Sequence, residues 1–116
     1  MGTEKQTINA IFDTGASLTV VNGRYRDSIG LYLEPSFETE VRDATGTVQK
    51  MPVNICRGLY LGNMELPAFD CLEIDLNAVE EALGHRIDLV FGANAMLKSG
   101  LRWLFNREKN RVSVME

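Results

Sequence analysis

Apolar and polar positions alternate over most of this chain, and the alternation is interrupted where glycine, proline or asparagine occurs. Residues 7–12 alternate weakly and are rich in β formers, and residues 18–21 resume the pattern beyond Gly15, predicting strand, tight loop, strand. In "NGRYRDSIGLYL" the pair Asn22-Gly23 signals a turn, and Tyr25, Ile29 and Leu33 fall at helical spacing, enough for one short helical turn. In "FETEVRDATGTVQKMPVNI", Phe37, Thr39 and Val41 lead into "DATGT" and Val48 leads out. That pattern predicts a β-hairpin with Ala44-Thr45-Gly46 at its tip.

The next stretch, "ICRGLYLGNMELPAFDCLEID", predicts two strands joined by a turn at Gly62-Asn63, with Pro67 suited to an edge or a strand start. "NAVEEALGH" holds helix formers closed by Gly84, a short helix. A buried strand over residues 89–91 then passes through Gly92 into a second helix, residues 93–98, ended by Ser99-Gly100. Two last strands, residues 101–105 and 111–115, face each other across "NREKN". The whole reads as an all-β, barrel-like domain with two short helices, and 116 residues suit a single domain spanning 1–116.

Composition narrows the function classes. Hydrophobic residues make up 45% and charged residues 24%, which is ordinary for a folded globular chain. A formal charge of -4, with Lys and Arg scattered, offers no basic field for a phosphate backbone, so nucleic acid is excluded as the expected partner. One histidine and two distant cysteines, Cys56 and Cys71, leave a metal site short of ligands; neither metal nor cofactor is expected. Both cysteines sit in apolar contexts and read as buried free thiols. No stretch reaches the roughly 18 apolar residues of a membrane span, and the polar start "MGTEKQTIN" does not read as a signal peptide. The expectation is a soluble, cytoplasmic chain, or a domain cut from a longer protein.

The chemistry concentrates at Asp13. In "INAIFDTGASLTVVN" a carboxylate stands between an apolar run and a β-branched run, where burial is expensive unless the group is paired or hydrogen-bonded. Gly15 lets the backbone turn tightly and aim amide groups at the carboxylate, and Thr14 adds a hydroxyl. Such donors favour the ionised form, a weak base; a second identical Asp close by would make the pair hold one proton between them. The chain carries one such loop. On local chemistry alone, the favoured reading of Asp13 is an Asx-turn residue initiating the loop. Asp70, Asp75 and Asp88 read as surface or turn residues, His85 as a solvated or capping residue, and Trp103 as core or interface.

These residues resemble the retropepsin-like aspartic proteases, the single-domain homodimeric group that includes retroviral proteases and bacterial relatives. "IFDTGASLTVV" resembles the catalytic loop, "VRDATGTV" the flap hairpin, "LVFGANAML" the second Gly-containing element behind the loop, and "SGLRWLF" the closing strand. The resemblance covers nearly the whole chain and implies a closed β-barrel with a flap hairpin. It also implies an aspartic endopeptidase in which Asp13 from each of two chains forms a water-activating dyad, with no cofactor. Thr14 would hold the two loops together and Gly15 would supply backbone contact. Ala16 stands where two-domain relatives more often carry a hydroxyl residue, so a less acidic optimum than theirs is expected. The flap residues Val41, Asp43, Ala44, Thr45 and Gly46, together with Ala16, Val90, Phe91 and Gly92, would contact an extended peptide or protein substrate.

Some residues depart from that pattern. Only residues 1–6 precede the catalytic strand; Ala93 replaces the Arg that follows the glycine in retroviral enzymes, although Asn94 remains; and "NREKNRVSVME" extends the end. These features point to a bacterial or cellular relative and to a homodimer made by the C-terminal strands. The alternative function is a catalytically silent dimerisation or peptide-binding module on the same fold.

Overall fold

The computed structural model describes residues 1–42, 45–106, 108–109 and 111–115. In chain order the elements are β1 (Ala10–Asp13), β2 (Thr19–Asn22), a 3₁₀ turn (Gly23–Tyr25), α1 (Arg26–Ile29), β3 (Tyr32–Arg42) and β4 (Val48–Arg57). They continue with β5 (Tyr60–Leu61), β6 (Met64–Glu65), β7 (Phe69–Ile74), α2 (Asn77–Leu83), β8 (Leu89–Gly92), α3 (Ala93–Ser99), β9 (Arg102–Asn106) and β10 (Arg111–Met115). The protein is mostly β, as the alternation predicts.

A six-stranded sheet in the order β1-β8-β2-β7-β4-β3 forms the body. The chain returns from α2 to insert β8 between the first two strands, parallel to β1 and antiparallel to β2. Central placement explains the apolar run there: Leu89 and Phe91 are fully buried, and a strand covered by neighbours needs no polar face. Among the described residues no ladder joins β1 to β3, so backbone pairing does not trace the closed barrel that the resemblance implies.

One face of the sheet carries the core, with Val21, Cys56, Phe69, Cys71, Leu89 and Phe91 packed against Ile8, Ile29 and Leu59. Phe91 meets Phe12, Phe69 and Trp103 at centroid distances of 5.6, 6.1 and 5.2 Å, the spacing at which aromatic rings attract edge to face or tilted. Trp103 is thereby a core-edge residue, and its indole N–H donates to Ser99 Oγ at 3.0 Å. Cys56 and Cys71 are buried and free. A hydrogen bond between the two and burial push the Cys56 thiol far above its ordinary range, so it stays protonated.

The stretch after β4 differs from the two strands expected. Residues 60–65 form their own small hairpin, β5 with β6, turning at Gly62-Asn63, and β7 begins only after Pro67, which has no amide to offer a ladder. The first residues fold back on this hairpin. Gly2 and Tyr60 exchange backbone hydrogen bonds of 2.9 and 2.7 Å, and the Ile8 amide donates to the Met1 carbonyl at 3.1 Å.

Helix α2 is held by polar contacts that the sequence does not announce. Glu80 is 8% exposed, and its carboxylate accepts from the Ile87 amide at 2.9 Å and from the Tyr25 hydroxyl at 2.9 Å. The Ile87 amide is the main reason this carboxyl lies below its usual range; burial opposes the shift, and Tyr25 and Arg24 assist it. Asp88 corrects an expectation: it is buried, accepting from the Asn9 amide and from Arg86 Nε, both at 2.8 Å. These bonds set where β8 enters the sheet.

The β9–β10 hairpin, the strand pair predicted, forms a separate two-stranded sheet with Trp103 opposite Val114 and Phe105 opposite Val112. An apolar cleft of about 630 Å³ separates it from the body, lined by Ile8, Phe12, Leu61, Trp103, Phe105 and Val114 among others.

Candidate active site

Strand β1 delivers Asp13 to its C-terminal end, in register with Gly92 across the parallel ladder. The chain then turns back at once. The Gly15 amide donates to Asp13 Oδ1 at 2.9 Å, and the Ala16 amide donates to the Asp13 carbonyl at 3.2 Å. This is the Asx turn that local chemistry predicts. Asp13, Thr14 and Gly15 are all exposed. The sequence-based premise that Asp13 bears a burial cost is therefore corrected: in one chain the carboxylate is solvated.

Side-chain alternation decides what shares a face with Asp13. Phe12 packs into the core, so Ile11 and Asp13 project from the opposite face of β1. The registers carry that face outward: Ile11 lies opposite Val90, Val90 opposite Val20, Val20 opposite Leu72, and Leu72 opposite Val53. It continues into the β3–β4 hairpin through the pairs Phe37 with Val53, Thr39 with Met51, and Val41 with Gln49. An apolar floor, with Val20 and Val90 half-buried and Leu72 and Val53 buried, thus runs from the carboxylate toward the hairpin, where Thr39 and Gln49 add polar positions.

Of the residues singled out in the sequence, Val90 and Val41 lie on this face, both half-buried. Phe91 lies on the other face, fully buried among aromatic rings. Thr45 and Gly46 are exposed at the hairpin's end, with Gly46 in the left-handed region at φ 86°, which glycine adopts without strain. Asp43 and Ala44 lie outside the described residues.

Gly92 and Ala16 are joined behind the loop. The Ala93 amide donates to the Ala16 carbonyl at 2.8 Å. A β-carbon built on Gly92 would stand 2.8 Å from the carbonyl oxygens of both Ala16 and Leu18, so the position is closed to any side chain. Two polar residues complete this packing. The Gly92 amide donates to Thr19 Oγ1 at 3.0 Å, while the amide and hydroxyl of Thr19 both donate to Asn94 Oδ1, at 2.8 and 2.9 Å. Asn94 Nδ2 donates to the Asp70 carbonyl at 2.7 Å. Thr19 escaped sequence reasoning because Thr is an ordinary strand residue; the signal available was one hydroxyl inside a run of aliphatics.

The class defined by this arrangement is a β domain presenting one Asp-Thr-Gly turn against a buried glycine, with an apolar floor and a projecting hairpin. A family model described as aspartyl protease matches residues 2–95, and the chain belongs to that family, consistent with the retropepsin-like resemblance. No match was found among curated proteins or among solved structures. Among the described residues no helix is long and apolar enough to cross a membrane.

Proposed function

We propose that this chain is a single domain forming one half of a homodimeric aspartic endopeptidase. The observation that carries this reading is the exposed Asp13 in an Asx turn within a family whose model spans the loop, in a chain holding one such loop. A symmetric partner would bring a second Asp13 alongside the first. Two carboxylates at close range cannot both stay ionised, so the pair would share a proton.

The chemistry then follows. The ionised carboxylate takes a proton from a bridging water, whose oxygen attacks the scissile carbonyl carbon while the protonated carboxyl polarises the carbonyl oxygen. Collapse of the tetrahedral species breaks the C–N bond, with the amine leaving protonated. General acid–base assistance of this type contributes about 10²- to 10⁴-fold. Thr14 would tie the two loops together and Gly15 and Ala16 would contact the peptide backbone.

The substrate is an extended peptide, or an extended segment of a protein, lying as an added strand between the loop and the β3–β4 flap. The apolar floor of Val20, Val90 and Val41 favours apolar side chains beside the scissile bond. Gly46, in the left-handed region, would let the flap close, and Thr45 beside it would contact the substrate. Dimerisation through β9 and β10 is supported by the apolar side chains they expose, including Leu104 at 51% and Met115 at 49%. The N-terminal residues, paired to Tyr60 of their own chain, have their backbone groups engaged elsewhere. Closure of the sheet into a barrel belongs to the same reading.

The second reading, a silent dimerisation or peptide-binding module, is favoured by one observation. An exposed Asp in a satisfied Asx turn needs no catalytic role to persist. Cleavage of a denatured protein mixture by the wild-type chain and by Asp13→Asn, with product sequencing, separates the two. Equal cleavage by both would end the endopeptidase reading.

A further inference from the structure

We propose that Thr19 and Asn94 are positioning residues for the Asp13 loop, an inference that rests on the endopeptidase reading above. Neither side chain is hydrogen-bonded to Asp13. Together they fix the packing behind it.

The direction of every bond in this network is determined. A backbone amide can only donate and a backbone carbonyl can only accept. The Gly92 amide therefore makes Thr19 Oγ1 an acceptor, and the hydroxyl proton is left for Asn94 Oδ1. The Thr19 amide and the Asp70 carbonyl then orient the Asn94 side chain, oxygen toward the first and nitrogen toward the second. One hydroxyl and one amide thereby connect β2, β7, β8 and the start of α3.

Burial gives these bonds their weight. Thr19 is fully buried, so a lost partner cannot be replaced by bulk water, and an unsatisfied buried donor costs more than the bond itself contributes. The geometry transmits any slip to the reacting group: Gly92 is the register partner of Asp13, and its neighbour Ala93 holds the Ala16 carbonyl. A shift of β8 against β2 would move both ends of the Asp13 loop. In a symmetric dyad each chain contributes the same displacement, and misplacement by about 1 Å can cost about 10²-fold in rate.

The test uses the full chain and the variants Thr19→Val, Thr19→Ser and Asn94→Asp, with peptide kinetics and NMR hydrogen exchange at the Gly92 amide. Thr19→Val is isosteric but lacks the hydroxyl, and Asn94→Asp turns a carboxylate oxygen toward the Asp70 carbonyl. The expected result is faster Gly92 exchange in Thr19→Val, with kcat down about 10- to 100-fold and KM within about threefold. Asn94→Asp falls likewise, and Thr19→Ser, which keeps the hydroxyl, stays close to wild type. The inference is overturned if Gly92 exchange accelerates while kcat holds, if the loss lies in KM alone, or if Ser is no better than Val. Should Thr19→Val fail to fold, an unchanged kcat in Asn94→Asp overturns it. Should wild type cleave nothing, the endopeptidase reading fails separately, and unchanged Gly92 exchange in Thr19→Val overturns the positioning inference on its own.

Discussion

Gly92 and Leu18 touch so closely that a β-carbon on Gly92 would stand 2.8 Å from both the carbonyl carbon and the carbonyl oxygen of Leu18. Both partners are backbone atoms of the loop-to-β2 junction, so no rotamer change relieves the contact. Gly92→Ala should therefore destabilise by about 1–3 kcal/mol through overpacking, measured as a lower denaturation midpoint. The same variant should lose peptide cleavage disproportionately, because the displaced segment carries Ala16.

Asp13→Asn should leave the fold intact. Asparagine keeps the side-chain oxygen that accepts from the Gly15 amide, and the residue is exposed in the single chain. Stability of the isolated chain should change by no more than about 0.5 kcal/mol. Cleavage should vanish, so a well-folded and inactive Asp13→Asn protein is the expected pairing.

A dyad shared between two chains makes activity depend on assembly. Specific activity should rise with protein concentration and level off where analytical ultracentrifugation finds the dimer complete. Leu104→Asp should shift that rise to higher concentration while leaving the melting of the dilute chain nearly unchanged, since Leu104 is half-exposed on β9. Full activity at concentrations where only monomer sediments would exclude the shared dyad.

Glu80 predicts an acid-sensitive fold. Its folded-state carboxyl lies below the ordinary 4.5, so in that range the unfolded chain binds more protons and stability rises with pH. The stabilisation is present above about pH 4.5 and disappears as pH falls through the lowered folded value. Melting temperatures of wild type and Glu80→Gln should differ at neutral pH and converge in acid. A constant difference across that range would assign the role of Glu80 to something other than its charge.

Most strands, the turn at Gly62-Asn63, both helix ends at Gly84 and Gly100 and the C-terminal hairpin were legible from the chain, because alternation and glycine act locally; the division of residues 60–74 into β5, β6 and β7 was not. The Asp-Thr-Gly-Ala loop was legible too, since its turn chemistry lies within four residues. The insertion of β8 between β1 and β2 was not legible, since it depends on contacts between residues some 80 positions apart. Nor was the burial of Asp88 and Glu80, whose charges are tolerated because Asn9 and Tyr25 arrive from distant parts of the chain to join the nearby Arg86 and Ile87.

By itself the sequence determined which family the chain joins and which residue is the candidate for its chemistry: one carboxylate, in one turn, between two apolar strands. Tertiary structure decided what that carboxylate experiences. It solvates Asp13 in the single chain, places Val90 and not Phe91 on its face, and backs its loop with Thr19, Gly92 and Asn94. The physical reason is that alternation specifies only that neighbours take opposite faces; which face meets the core is settled by the strands on either side.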